Sequence, residues 1–342
     1  MELLFNSETV DVSVVLATWN NCRRLGITLE AITRCSVPAG LTWEVVVVAN
    51  NCTDATADVT RAFSGRLPLR HVVEARQGLS HARNTGVEAA RGRLIIFADD
   101  DITPCADWIG AYWRAHQERP VGYHFGGPLT CEYETRAPEP ELFALAGIPV
   151  TGVDWGPVAR VLEPAERFMG ANWACPAAAL RVAGPFDPSL GLDASLGTRR
   201  VGEEWDMMQR LRDHGTLPWY VPDAVVQHFV PAHKSRLEYT ASNWEAAGVY
   251  SASRGVTATP FLQRRPYLRA YCENGSRHVG VVPWRTYDGA ARFLLRWLLA
   301  RMMGQKGYRH YVSWRFCRGA IAGFRAAATA PVRRHATDGP RA

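Results

Sequence analysis

The sequence predicts an α/β fold with a mostly parallel central sheet flanked by helices. Apolar, β-branched runs alternate with stretches of helical character through the first part of the chain, which is typical of strand–helix–strand units. The runs are hydrophobic along their whole length, as strands covered on both faces are. Polar residues follow each run, and ligands bind at the carboxyl ends of strands in open sheets of this kind.

Four strands and three helices are predicted to alternate in the first part of the chain. The strands are VSVVLA (12–17), WEVVVVA (43–49), LRHVV (69–73) and RLIIFA (93–98). The helices between them cover residues 21–34, 54–63 and 80–90, with approximate ends. The polar clusters that follow the strands are TWNN, NNCTD, EARQGLSHARN and DDD. Because parallel strands end at the same edge of a sheet, we expect all four clusters to lie together.

The later part of the chain is less regular. Residues 105–170 contain proline-rich segments and are predicted to loop over the sheet. A helix is predicted to begin after Gly202, because Glu203 and Glu204 suit the positive end of a helix dipole. Gly215 is a good residue to end that helix.

The composition favours an anionic partner but not a nucleic acid. The 342-residue chain has a net charge of +6 and a pI near 9.0, which suits phosphate esters. A nucleic-acid surface would need a basic stripe with stacking aromatics, which the early part of the chain lacks. No apolar run reaches spanning length, the first residues resemble no secretory signal, and the eight cysteines have no paired spacing. We therefore expect a cytoplasmic protein with reduced thiols.

Three consecutive aspartates, Asp99, Asp100 and Asp101, directly follow the fourth strand. Adjacent carboxylates repel one another and are costly to bury, so they need a cation partner. A solvated turn with a helix cap is the ordinary explanation for aspartate, but three carboxylates exceed what a cap needs. A divalent ion, Mg²⁺ or Mn²⁺, is the preferred partner, because it takes oxygen ligands and leaves positions open for phosphate.

Other phosphate-binding and hydrolytic signatures are missing from the sequence. It has no G-x-x-x-x-G-K-[ST] loop, no G-x-G-x-x-G after the first strand, no H-E-x-x-H and no G-x-S-x-G. The segments VSVVLATWNN, EVVVVANNCTDAT, GLSHARNTGVEAARGRLIIFADDDI and GPFDPSLG…GEEWDMMQRL together resemble the family 2 glycosyltransferases of the GT-A fold. Their order and spacing match that family over residues 12–235, roughly two-thirds of the chain.

The resemblance implies a nucleotide-sugar site built from the strand ends. The residues that it places there are Thr18, Trp19, Asn20, Asn50, Asp54, Arg83, Asn84, Asp99 and Asp100. Asp99 and Asp101 match the DxD positions that hold the metal and the sugar nucleotide. His228 ends a later strand, where similar enzymes often carry a further metal or diphosphate ligand; a core or surface histidine is the ordinary alternative. Ala49 stands where the family usually has a base-reading aspartate, so the identity of the nucleotide base stays open.

Two pairs of residues complete the site that the resemblance implies. Glu204 falls at the position of the general base, with Glu203 as the alternative, although the usual Glu-Asp pair is here Glu-Glu. The other explanation for the two glutamates is that their negative charges only complement the positive end of the helix dipole. Asn172 and Trp173 lie where similar enzymes line the sugar or acceptor pocket, whereas a core position is the default for tryptophan.

The C-terminal helices offer a second possible contact. The segment 310–328 is a basic amphipathic helix with aromatic residues, and 289–304 is a less regular one. Such helices either lie at a membrane interface or pack on the catalytic domain with exposed arginines. Peripheral attachment to the cytoplasmic membrane face is therefore an open alternative to a purely cytoplasmic location.

The resemblance implies a GT-A catalytic domain over 1–235. The residue pattern after it predicts a mostly helical, basic extension over 236–330 and a disordered tail over 331–342. Within the first, residues 10–104 form the nucleotide-sugar half and 105–235 the acceptor half. The expected activity is transfer of a sugar from a nucleoside-diphosphate sugar, most commonly UDP-linked, to a hydroxyl of a glycan, lipid-linked or small-molecule acceptor. The reaction is expected to be inverting and metal-dependent. The alternatives are a sugar nucleotidyltransferase-like enzyme and a non-catalytic nucleotide-sugar binding protein.

Overall fold

The structure divides the chain into two compact units, Met1–Thr240 and Ala241–Ala342. The computed structural model describes residues 9–164, 166–193, 195, 199–255, 262, 265–273 and 277–329. The tail predicted at 331–342 lies outside these residues.

The first unit contains the strands and most of the helices. Its strands are β1 (Val10–Thr18), β2 (Trp43–Asn50), β3 (Leu69–Glu74), β4 (Gly92–Asp99), β5 (Ile102–Pro104), β6 (Tyr123–Gly126), β7 (Leu129–Tyr133), β8 (Arg160–Val161), β9 (Asn172–Pro176), β10 (Leu217–Tyr220) and β11 (Val226–Val230). Its helices are α1 (Cys22–Ile32), α2 (Thr56–Phe63), α3 (Leu79–Ala89), α4 (Trp108–Glu118), α5 (Pro140–Phe143), α6 (Ile148–Thr151), α7 (Ala177–Ala183) and α8 (Glu203–Asp213). A 3₁₀ helix covers Ala232–Ser235.

The main sheet is mostly parallel, as predicted. Within the described residues it has eight strands in the order β3-β2-β1-β4-β9-β6-β10-β8. β1 runs parallel to both β2 and β4, and β2 runs parallel to β3. β9 runs antiparallel to β4 and β6, while β5, β11 and β7 form a second, smaller sheet. The four strands and three helices predicted in the first hundred residues are confirmed.

The strands are hydrophobic throughout because both faces of the sheet are covered. Val14 and Leu16 face one buried core, and Val15 with Phe97 faces the other. Each buried side chain of this size contributes about 1.5–3 kcal/mol relative to an exposed one. The registers pair Thr18 with Ala49 and Ala17 with Asp99, so β1, β2 and β4 end at a common edge.

The prediction that residues 105–170 loop over the sheet is wrong in part. This stretch contains α4 and the strands β6 and β7. The helix forms because Trp108, Ile109 and Tyr112 recur on one face and are fully buried. The prolines that suggested a loop lie outside α4.

The second unit is helical. It contains most of α9 (Leu237–Arg254), a 3₁₀ helix (Pro266–Tyr271), a hairpin of β12 (His278–Val279) and β13 (Val282–Pro283), α10 (Trp284–Met302) and α11 (Tyr308–Thr329). α9 and α11 approach closely, since a Cβ at Gly319 would lie 1.9 Å from the Glu245 carbonyl oxygen. Among the described residues, no helix is long and apolar enough to cross a membrane.

Candidate active site

Asp100 ties the first loop to the acidic turn after β4. Its carboxylate accepts hydrogen bonds from Thr18 Oγ1 at 2.5 Å and from Asn21 Nδ2 at 2.7 Å. Thr28 Oγ1 donates to its backbone oxygen at 2.9 Å. Burial, and then the charge of Asp101, raises the pKa of Asp100 to about 7. Both carboxylate oxygens are thus engaged by the protein, so Asp100 positions the first loop rather than offering free atoms to a ligand.

Asp99 and Asp101 lie beside an arginine, a lysine and a histidine. Arg83 Nη2 lies 3.5 Å from Asp99 Oδ1, and both His228 Nε2 and Lys234 Nζ lie 3.5 Å from Asp101 Oδ2. Burial raises the pKa of Asp99 despite the charge of Arg83. Burial also acts on Asp101, but the hydrogen bond and charge of His228, with the charge of Lys234, outweigh it and lower its pKa. The acidic turn is therefore partly neutralised by the protein itself.

The donor atoms at this turn suit a divalent ion. Asp101 Oδ1 and His228 Nδ1 are buried and lack a hydrogen-bond partner among the described residues. Carboxylate oxygens with one imidazole are ligands that Mn²⁺ and Mg²⁺ accept. Within the described part of the chain, no three acidic, histidine or cysteine residues form a ready-made metal cluster. The turn fits an ion that takes its remaining ligands from a bound phosphate.

Arg83 connects the acidic turn with the start of α8. Its side chain is buried, and Nη1 donates to Glu203 Oε1 at 2.9 Å. The same guanidinium lies near Asp99 and donates to the Gly170 carbonyl oxygen at 3.4 Å. A Cβ at Gly170 would lie 2.8 Å from Arg83 Nη2, so a larger residue here would force the guanidinium to move. One cation therefore brings together carboxylates that are far apart in the sequence.

Glu204 is the second residue of α8 and neighbours this ion pair. Burial raises its pKa well above the ordinary value, and the negative charge and hydrogen bond of Glu203 raise it further. Arg83 acts in the opposite direction but does not cancel the increase. Glu203 is thus the ion-pair partner of Arg83, and Glu204 is the neighbouring carboxyl group with the raised pKa.

Four of the expected nucleotide-binding residues hold the loops together. Asn20, which has a positive φ of 48°, accepts a hydrogen bond from the Thr53 backbone at 2.7 Å. Asp54 accepts one from the Cys22 backbone at 2.8 Å, at the start of α1. Asn50 and Asn84 also accept hydrogen bonds from backbone nitrogens. Asn50 Oδ1 accepts one from Gly78 N at 2.9 Å, and Asn84 Oδ1 accepts one from Phe186 N at 2.7 Å. These side chains give the strand-end loops a fixed shape.

Trp19 has a different environment in the first loop. Its side chain is 47% exposed, and it directly follows Thr18 at the end of β1. A large exposed aromatic at the edge of the sheet is available to stack on a planar ligand group.

Asn172 and Trp173 do not line a pocket. Both are completely buried, and the Trp173 ring stacks on Phe97 with centroids 4.5 Å apart. Asn172 Oδ1 accepts hydrogen bonds from Trp108 Nε1 at 2.9 Å and Tyr112 Oη at 2.7 Å. The expectation that this pair contacts a sugar is corrected because β9 lies inside the sheet, where its side chains have no access to solvent.

Lys234 and Gly170 escaped the sequence analysis. Lys234 follows β11 in the segment QHFVPAHK. The sequence analysis assigned a ligand role in this segment to His228 and none to Lys234. Gly170 precedes the buried β9, and a single glycine in a loop gives no indication that an arginine packs on it.

The mostly parallel sheet with its acidic edge has the architecture of the GT-A fold. Residues 13–171 match the family model described as Glycosyl transferase family 2. This match confirms the resemblance predicted from the sequence.

Three proteins illustrate the similarity. Glycosyltransferase AglE of Haloferax volcanii is 32% identical over 100 residues, which are 29% of this chain and 33% of that protein. Validoxylamine A glucosyltransferase of Streptomyces hygroscopicus subsp. jinggangensis is 28% identical over 236 residues, 60% of this chain and 52% of that protein. The mannosyltransferase PcManGT from Pyrobaculum calidifontis, solved with GDP-Man and Mn²⁺, superposes with a TM-score of 0.54 at 19% identity, covering 92% of this chain and 87% of that one. The chain thus spans between a third and about half of the two curated relatives.

Proposed function

We propose that this protein transfers a sugar from a nucleoside-diphosphate sugar to an acceptor hydroxyl, with inversion at the anomeric carbon. The observation that carries the proposal is the Arg83 side chain, which joins Asp99 at the end of β4 to Glu203 at the start of α8. This contact brings a carboxylate that would hold the metal ion for the donor's diphosphate close to the carboxylate pair that supplies a base. Binding alone has no use for such a base.

In this proposal Glu204 is the general base. The acceptor oxygen forms a bond to the anomeric carbon, and its proton moves to the Glu204 carboxylate. The bond between the anomeric carbon and the diphosphate oxygen breaks, and the nucleoside diphosphate leaves with that electron pair. A raised pKa suits this role, because a catalytic base is most effective when its pKa lies near the working pH. A single displacement of this kind inverts the anomeric centre.

Asp99, Asp101 and His228 are the residues that would hold Mg²⁺ or Mn²⁺. A bound divalent ion supplies positive charge to the departing diphosphate. Lys234 lies beside Asp101 and would bring a protein cation to the same region. The mannosyltransferase with the similar fold was solved with Mn²⁺ and GDP-Man, which supports testing this metal first.

Trp19 is proposed to stack on the nucleotide base, since it is the exposed aromatic of the first loop. The nucleotide is proposed to be UDP, with GDP as the competing choice. The acceptor is proposed to be a glycan, a lipid-linked intermediate or a small molecule. The relative named Validoxylamine A glucosyltransferase makes validoxylamine A a practical acceptor for a first assay. The free state of all eight cysteines supports a reducing, cytoplasmic location.

A donor screen tests the proposal without knowledge of the acceptor. Thermal stabilisation and donor hydrolysis are measured with UDP- and GDP-sugars, with and without Mn²⁺ or Mg²⁺. The wild type should be stabilised by one donor and hydrolyse it slowly. Glu204→Gln should keep the stabilisation and lose hydrolysis, whereas Asp99→Ala and Asp101→Ala should lose the metal-dependent stabilisation. A wild type that ignores every donor and both metals would contradict the proposal.

A further inference from the structure

Helix α10 of the second unit has two apolar faces, of which only one is covered. Gly289, Phe293 and Ala300 are buried. The opposite face carries the apolar stripe, defined as Trp284, Leu295, Leu298, Leu299 and Met302, whose exposed fractions are 53%, 58%, 46%, 45% and 83%. At about 100° and 1.5 Å per residue, the five side chains fall within a sector about 100° wide. Four of them lie within about 10 Å at the end of the helix, and Trp284 stands about 16 Å before Leu295, with Asp288 between them in the same sector. An isolated exposed leucine is ordinary, but four large apolar side chains exposed side by side on one helix face mark an interaction surface.

A basic flank borders this stripe. Arg285, Arg292 and Arg296 are exposed and lie within a sector of about 40° on one side of it. Asp288 is the only acidic residue between 277 and 329, against ten lysines and arginines, and it pairs with Arg292 at 2.8 Å. The surface therefore combines apolar side chains with uncompensated positive charge.

We propose that α10 lies in the plane of an anionic membrane surface, with the apolar stripe in the apolar boundary and the basic flank against the headgroups. Apolar residues on one face with arginines beside them are typical of interfacial helices. Trp284 stands at one end of the stripe, and tryptophan favours the headgroup level. The helix binds the surface without crossing it, in keeping with its hydropathy. The inference rests on the second unit alone and does not depend on the proposed transfer reaction.

A second copy of the chain is a poorer occupant of the same surface. A symmetric dimer would place the apolar stripe of each copy on that of the other and gather both basic flanks around one interface. α10 offers Asp288 as its single acid, and that carboxylate is already bound to Arg292. Like charges gathered at an interface oppose association, whereas anionic headgroups complement them.

Helix α11 does not offer a comparable surface, although its sequence is the more regular. Its apolar residues Phe316 and Phe324 are buried. Its Arg315 and Arg318 bind Glu245, with nitrogen–oxygen distances of 2.6 Å and 2.7 Å. The arginines that the sequence pattern assigned to a free face of 310–328 thus stabilise packing within the second unit.

Vesicle co-sedimentation of the full chain tests the proposal. The wild type should pellet with vesicles of phosphatidylglycerol and phosphatidylcholine, and much less with phosphatidylcholine alone or in high salt. Leu295→Glu with Leu299→Glu should lower the partition coefficient at least about tenfold. The matched control replaces two exposed valines elsewhere, Val121→Glu with Val182→Glu, whose exposed fractions are 79% and 64%, and should bind as the wild type does.

Two further measurements keep the outcome decisive. If the glutamate variant is unfolded by circular dichroism, Leu295→Ala with Leu299→Ala replaces it, with an expected loss of about three- to tenfold. Brominated lipids should quench the fluorescence of the wild type more than that of Trp284→Phe. Absence of vesicle binding by the wild type would overturn the proposal, as would an equal loss in the valine control. A wild-type dimer that becomes monomeric in the leucine variant, with no lipid binding, would assign the stripe to a second copy instead.

Discussion

Replacement of Glu203 by glutamine should move the pH dependence of the reaction. The acid limb of kcat/KM is expected to report deprotonation of Glu204, whose pKa the charge and hydrogen bond of Glu203 help to raise. Glutamine removes that negative charge and leaves Arg83 free to attract the charge of Glu204. Both changes favour the carboxylate form, so the pKa of Glu204 should fall and activity should persist to lower pH.

The structure sets the size of two effects. Removal of a like charge at hydrogen-bond distance should shift the acid limb by about 1–2 pH units, each worth about 1.4 kcal/mol. Loss of the buried 2.9 Å ion pair with Arg83 should also lower the free energy of unfolding. Breaking a buried pair costs about 3–5 kcal/mol, and the low end is expected because Asp99 remains beside the guanidinium. A loss of about 3 kcal/mol corresponds to a Tm lower by about 6–12 °C.

Profiles of kcat/KM against pH for donor hydrolysis test this reasoning, alongside thermal melts of the same proteins. Asp206→Asn is the matched control. It removes a carboxylate from the first turn of the same helix, where Asp206 pairs with Arg210 at 2.9 Å, and leaves Arg83 untouched. The control should keep the wild-type acid limb. An acid limb that stays in place in Glu203→Gln, despite a lower Tm, would refute the assignment of that limb to Glu204.

Three further predictions follow from the contacts around the site. Gly170→Ala places a methyl group against Arg83 and should cost about 1–3 kcal/mol of stability together with activity. Gly65→Ala, which meets no atom within 4 Å, should leave both unchanged, and equal effects would exclude the steric explanation. Trp19→Ala should weaken donor binding about tenfold in calorimetric titrations with little change in Tm, because the side chain is half-exposed; an unchanged Kd would rule out stacking. Asn172→Ala leaves buried polar partners without a hydrogen bond and should cost about 3–5 kcal/mol in denaturant unfolding; a nearly neutral variant would contradict the core assignment.

The sequence was sufficient to predict the first four strands and the three helices between them, because burial imposes a pattern on such strands. Val14, Val15 and Leu16 all lie in the core. A strand that is covered on both faces needs apolar residues at successive positions, and this makes it recognisable in the sequence. The acidic edge was equally visible, since carboxylates directly after such a strand are unusual. The buried position of Trp173 was not visible, because an apolar aromatic suits a sugar pocket and a core equally well. Which of the two applies depends on β9 entering the sheet between β4 and β6, a long-range pairing without a local signal.

The roles of polar residues at the strand ends depend on how many of their hydrogen-bonding atoms the protein itself uses. Asn50 engages its amide oxygen and its amide nitrogen, with Gly78 N and the Arg76 carbonyl. Asn84 does the same with Phe186, and Asp100 has both oxygens occupied. Residue type and spacing are the same for a side chain that binds a ligand and for one that holds a loop, so the sequence grouped them together.

Asp101 differs because one buried oxygen is left without a partner in the described part of the chain. An unsatisfied buried acceptor costs free energy in the absence of a ligand, and a bound cation would offset that cost. Trp19 differs in a similar way from Asn20 and Asn50, because its ring is exposed, whereas their side chains bond to the backbone of neighbouring loops. Ligand recognition is therefore expected to depend on the few side chains with an exposed ring or a hydrogen-bonding atom that the protein leaves unpaired. The side chains whose polar atoms already bond to the backbone hold the loops in a fixed geometry. Substitution of a loop-holding residue such as Asn50 should then lower both stability and donor binding, whereas substitution of Trp19 should lower donor binding alone.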